Sequence, residues 1–145
     1  MRESNKLLSE NITKRFNPKS VLEVGSNDGI FLKNFPDIKR IGVEPCKNLA
    51  DITNEINIET YDKFWDLGLS KKINKVHGKF DLVYSANTIS HIHDLDDAFQ
   101  SINLILQVCL PRHHPLELHN QSLLFHLYIS IQSHYTLRAL YFLSY

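Results

Sequence analysis

Val21-Leu22-Glu23-Val24-Gly25-Ser26-Asn27-Asp28-Gly29 is followed, fifteen residues past its last glycine, by the acid that closes Ile41-Gly42-Val43-Glu44. The order reads as a strand, a glycine loop, a short helix and a second strand tipped by a carboxylate, the front half of a nucleoside-binding crossover. Gly25 and Gly29 permit a sharp turn and close approach of a ligand where a Cβ would collide, and Asn27 is the residue after glycine that best accepts positive φ. A carboxylate fixed at the end of the second strand can accept hydrogen bonds from both hydroxyls of a ribose. Glu44 is therefore the leading ligand candidate. Glu23, inside the first strand, reads either as a buried acid that organises the turn or as a ligand contact.

The pattern continues outward in alternation. Leu7, Leu8, Ile12 and Phe16 share a helical face over Ser4 to Phe16, and Asn17-Pro18 ends it because the residue before proline avoids the α region. Ile30-Phe31-Leu32 with Phe35 makes a short apolar helix stopped by Pro36. Helices are expected over 48–55 and 63–73, strands over 40–44, 56–60 and 80–84, and a further helix carrying Leu95, Ala98, Phe99, Ile102, Ile105 and Leu106. Asp94, Asp96 and Asp97 complement the positive amino end of that last helix. Such alternation predicts an α/β fold, a three-layer Rossmann-like doubly wound parallel sheet, with ligands beyond the carboxyl ends of the strands. Asp81 is expected to support the neighbouring loop and strand end.

Length and charge narrow the functional classes. With 145 residues the chain can bury one core, and with 16 basic and 16 acidic side chains it carries no field that would recruit nucleic acid or an acidic membrane surface. Two cysteines, Cys46 and Cys109, are too few for a disulfide framework or a cysteine zinc site, which fits a cytoplasmic protein. The polar start Met1-Arg2-Glu3-Ser4-Asn5-Lys6 leads into no apolar signal core.

Composition breaks near residue 107. Up to Leu106 there are 14 basic and 15 acidic side chains; beyond it only Arg112, Glu117 and Arg138 are charged, and Lys, Asp and Gly are absent. The expectation is therefore a core domain over 1–106 and an atypical tail over 107–145, either an unusual extension or a segment read in the wrong frame. Ser122 to Ile131 is apolar enough to pair as a strand, although low order is the expectation there, and it falls short of the about 20 apolar residues a membrane span requires. His113, His114 and His119 make a poor zinc constellation, so no metal is expected.

Four segments in order carry a resemblance: the glycine loop from Val21 to Gly29, Gly42-Val43-Glu44-Pro45, Phe80-Asp81-Leu82-Val83-Tyr84-Ser85-Ala86-Asn87, and His91-Ile92. They resemble class I S-adenosylmethionine-dependent methyltransferases, and more narrowly the sugar C-methyltransferases that modify nucleotide-linked keto-deoxysugars. The resemblance covers about residues 5 to 106 and implies S-adenosylmethionine as cofactor and a small-molecule substrate, a nucleotide-sugar, with no nucleic acid or membrane partner. It implies that Gly25, Ser26 and Gly29 surround the methionine part, that Glu44 holds the ribose, that Asp62 and Phe64 lie near the adenine, and that Asn87 faces the sulfonium. Glu23, Asn27 and Pro45 complete the implied cofactor-binding set. His91 matches a histidine near that family's reaction centre and is the catalytic candidate.

The downstream Tyr-x-Glu-His segment of that family, its preceding cysteine-rich zinc module and its following α/β region are not recognisable here, so the fold is expected to be incomplete on its C-terminal side. Two other readings stay open. One is a non-catalytic nucleoside-binding remnant of such an enzyme. The other is a nicotinamide dehydrogenase domain, although Gly25-x-x-x-Gly29 lacks the Gly-x-Gly-x-x-Gly spacing. Tyr61, Phe64 and Trp65 read equally as an adenine wall or as core.

Overall fold

The computed structural model describes residues 2–86, 88–107 and 127–130. In chain order these form α1 (Arg2–Phe16), β1 (Ser20–Val24), β2 (Lys39–Val43), α2 (Lys47–Glu55), β3 (Thr60–Tyr61), α3 (Leu67–His77), β4 (Leu82–Ala86), α4 (Leu95–Ile105) and β5 (Leu127–Ser130), with 3₁₀ turns at Leu32–Asn34 and Ile89–His91. The sheet runs β3-β2-β1-β4-β5 with every pairing parallel. The order reverses direction between β1 and β4, so the ligand crevice of such a sheet opens above that junction.

Alternation along β1 assigns the two faces. Leu22 and Val24 join Ile41, Val43 and Val83 under Trp65, Leu69 and Ile73 and under Ala98, Ile102 and Ile105, while Val21 faces the other way with Ile12, Phe31, Leu32, Phe35, Ile58, Leu82 and Tyr84. Two cores separated by one sheet make three layers. A fully buried ring such as Phe31, stacked on Tyr84 at 3.9 Å between centroids, is worth about 1.5–3 kcal/mol of transfer free energy.

Several boundaries differ from the sequence reading. The expected helix over 63–73 begins only at Leu67, because Asp66 caps it by accepting from Leu69 N at 2.7 Å and Asp97 reaches across from α4 to accept from Leu67 N at 2.9 Å. The expected strand over 56–60 is a turn with Asn57 at φ 59, and pairing starts at Thr60. The Ile30 to Phe35 segment is a 3₁₀ turn. Phe80 forms an isolated parallel bridge with Leu106, and β4 proper runs over Leu82–Ala86. Leu127–Ser130 pairs with β4 where low order was expected; the rest of the tail, with His113, His114 and His119, lies outside the described residues. Among the described residues no helix is long and apolar enough to cross a membrane.

Candidate functional site

The glycine turn is built by main-chain bonds onto β2. Both Gly25 N and Ser26 N donate to Val43 O, at 2.8 and 3.1 Å, and Gly29 N closes the loop on Ser26 O at 2.9 Å. Gly25 sits at φ 78, Gly29 at φ 70 and Asn27 at φ 51. A Cβ on Gly25 would overlap the Thr88 side chain, so the turn after β4 lies directly on the turn after β1. Thr88 was not singled out from the sequence. Ser85 Oγ, buried, donates to Val24 O at 2.9 Å and ties the two strand ends together.

Glu44 points at this turn. One carboxylate oxygen accepts from Asn27 N at 3.0 Å and the other from Cys46 N at 2.9 Å, while the residue is only 8% exposed. The carboxylate is thereby fixed in position and orientation. Each oxygen offers two acceptor sites, so one per oxygen remains for a diol.

Glu23 and Ser26 are 4% and 1% exposed, and Glu23 Oε2 and Ser26 Oγ have no hydrogen-bond partner. No loop amide donates to that Glu23 oxygen. Burial pushes the Glu23 carboxyl well above its ordinary range, and the nearby Asp28 and Glu44 carboxylates push it the same way. The ion pairs among the described residues, Lys47–Asp51 and His77–Glu59, involve none of these three acids.

The remaining candidates spread along the same rim. Pro45 and Asp62 are exposed, and Phe64 is 78% exposed on the segment between β3 and α3. Trp65 instead belongs to the core, its Nε1 donating to Ala98 O at 3.2 Å. Tyr61 bonds His77 Nε2 at 3.0 Å, and burial with the Glu59 carboxylate beside it pushes its phenol up to about 12. Of the suspected aromatic wall, Phe64 alone is free to face a ligand. His91 is exposed at the end of the turn after β4, its backbone N donating to Thr88 O at 2.9 Å. Asn87 lies outside the described residues.

A parallel sheet with a glycine turn and a braced acid at its switch point fits a methyltransferase domain, and over residues 2–127 the chain matches that family and belongs to it. Among curated relatives it is similar to the C-methyltransferase NovU of Streptomyces niveus, 31% identical over 88 residues that make up 59% of this chain and 21% of NovU. It is similar in fold to an S-adenosylmethionine-dependent methyltransferase from Archaeoglobus fulgidus, with TM-score 0.59 and 18% identity over 74% of this chain and 49% of that one. The plantazolicin methyltransferase BamL, solved with a desmethylplantazolicin analogue and S-adenosylhomocysteine, gives TM-score 0.57 and 16% identity over 74% and 41% of the two chains. The chain thus spans about a fifth of the length of NovU and less than half of either structure.

Proposed function

We propose that this chain binds S-adenosylmethionine at the glycine turn and serves methyl transfer to carbon in a small molecule, a nucleotide-linked keto-sugar. The observation that carries the reading is the Glu44 carboxylate, buried, held by two backbone N–H groups and left with one acceptor site per oxygen for a ribose diol. The cofactor fits the rest of the turn. Its methionine end carries an ammonium and a sulfonium beside one carboxylate, a net positive charge, and Glu23, Asp28 and Ser26 present acidic or unpaired polar atoms there with, among the described residues, no basic side chain paired to them. Gly25 and Gly29 supply the positive φ that the turn needs and leave room for Thr88 and Thr53 packed against it, with Asn27 and Pro45 shaping the two loop edges. Asp62 and Phe64 follow β3 and border the adenine.

When bound, the cofactor supplies an electrophilic methyl group on a sulfonium whose leaving group is a neutral thioether. The protein's share is positioning and proton removal. His91, exposed on the turn whose Thr88 covers Gly25, is assigned the proton from the carbon beside the substrate ketone. Transfer to carbon rests on the likeness to the C-methyltransferase NovU over 59% of this chain, and the keto-sugar acceptor on the motif order.

Calorimetric titration with S-adenosylmethionine and, separately, with NAD tests the cofactor, with binding of the former alone expected. Incubation with methyl-labelled cofactor and a nucleotide-keto-sugar tests the reaction. Label in the sugar, lost in His91→Ala, is the expected result; cofactor binding without label would make the chain a non-catalytic nucleoside binder.

A further inference from the structure

The upper rim holds a chemical imbalance that the cofactor reading does not by itself resolve. Glu23 stands at the centre of the sheet, paired in register with Gly42 on β2 and Tyr84 on β4, and its carboxyl is enclosed by the first turn. The charged groups that act on it from the elements around it are Asp28 on the glycine loop and Glu44 at the end of β2, both acids. Ser26 Oγ, also buried, is unpaired, and Glu23 Oε2 receives no donor. Isolated anions are not kept in such surroundings; a carboxyl there takes up a proton instead. A cation entering the turn reverses that preference by supplying the missing opposite charge.

We propose that S-adenosylmethionine binding expels a proton from Glu23, so that occupancy of the site is coupled to pH through this one carboxyl. The inference rests on the cofactor reading above and adds to it a change of protonation state. The O–H bond of Glu23 is broken, its proton passes to the buffer, and the carboxylate formed is balanced by the cationic methionine end. Affinity then rises with pH, by up to about tenfold per pH unit while the free carboxyl is protonated and the bound one is not. Between about pH 5 and about pH 7 an ordinary glutamate is already ionised and shows no such slope.

Calorimetry of the full chain with S-adenosylmethionine in buffers of different ionisation enthalpy counts the protons directly. A release approaching one proton per cofactor bound is expected, together with loss of a protonated-carboxyl stretch in the infrared difference spectrum. Glu23→Gln is expected to abolish both signals and to bind more weakly. Binding with no buffer dependence in the wild-type chain overturns the proton coupling while leaving the cofactor reading intact, and a wild-type chain that binds no cofactor overturns both. If Glu23→Gln does not fold, the wild-type proton count and infrared band still decide the matter. Release that persists in a folded Glu23→Gln chain assigns the proton elsewhere and removes Glu23 from the proposal.

Discussion

At the amino-terminal rim of the sheet Asp81 accepts from Lys19 N at 2.8 Å and from Ser20 Oγ at 3.1 Å, and Asp81 N donates back to Ser20 Oγ at 3.0 Å. At the carboxyl-terminal rim Glu23 and Ser26 each bury an oxygen with no partner. The same two central strands, β1 and β4, connect these ends. Below, Lys39 Nζ also finds the carbonyls of His77 and Lys79, so even a long cation is anchored. Positive φ occurs at both ends, at Gly25, Asn27 and Gly29 above and at Asn17, Asn57 and Gly78 on the turns that lead into strands below, so the contrast lies in the polar groups. An unmet buried polar group costs about 1–3 kcal/mol. A fold that satisfies one rim fully and leaves the other unmet concentrates its unfavourable terms where a ligand can relieve them.

The largest expected effect comes from closing the upper rim. Gly25→Ala combines a left-handed backbone costing a non-glycine residue about 1–2 kcal/mol with overlap against Thr88, and should destabilise the chain by about 3 kcal/mol in urea unfolding. Adding Thr88→Ala should recover the overlap and leave the backbone cost. Full additivity of the two changes would show that Gly25 is not there to make room for Thr88.

Next come two substitutions that should separate the rims. Glu44→Ala removes the acceptor of two backbone N–H groups and is expected to weaken S-adenosylmethionine binding by roughly 1.5–3 kcal/mol, the scale of hydrogen bonds to a charged group. Asp81→Ala should cost about 1–3 kcal/mol of stability while leaving cofactor affinity unchanged. Titration calorimetry and urea midpoints on both variants read this out. A binding loss in Asp81→Ala, or none in Glu44→Ala, would erase the contrast between the two ends.

How much of this was legible depends on the range of the interactions. The glycine turn, the acid at Glu44 and the parallel alternation follow from chain-local rules: period-two apolar runs, glycines where φ turns positive, and an acid at a strand's end. The start of α3 did not, because Lys63 and Phe64 fit helical spacing while the cap at Asp66 is reinforced by Asp97, which accepts from Leu67 N 30 positions before it. Trp65 was left between ligand wall and core for the same reason: its indole partner is Ala98 O on another helix. Thr88 was invisible since nothing near it in sequence signals that Gly25 lies beneath. Glu23 was the instructive case. Its burial was readable from its place inside a strand, but the absence of a partner at Oε2 is a property of three elements meeting.

The effect that is smallest at low pH is also the one most specific to the contrast. Glu23→Gln exchanges a carboxyl for an amide of nearly the same shape, so at low pH, where the carboxyl is protonated in both folded and unfolded chains, stability should change little. As pH rises past the ordinary value of 4.5 the unfolded chain loses the Glu23 proton while the folded chain keeps it. Proton loss in the unfolded state alone favours unfolding, so Glu23's contribution falls with pH until the folded carboxyl also ionises. The slope is at most about 1.4 kcal/mol per pH unit. Glu23→Gln removes that slope, so the wild-type minus variant difference in urea midpoint, near zero at low pH, should become negative as pH rises. Parallel curves would mean that the folded chain ionises Glu23 as easily as the unfolded one does. The upper rim would then be no more strained, electrostatically, than the Asp81 end below it.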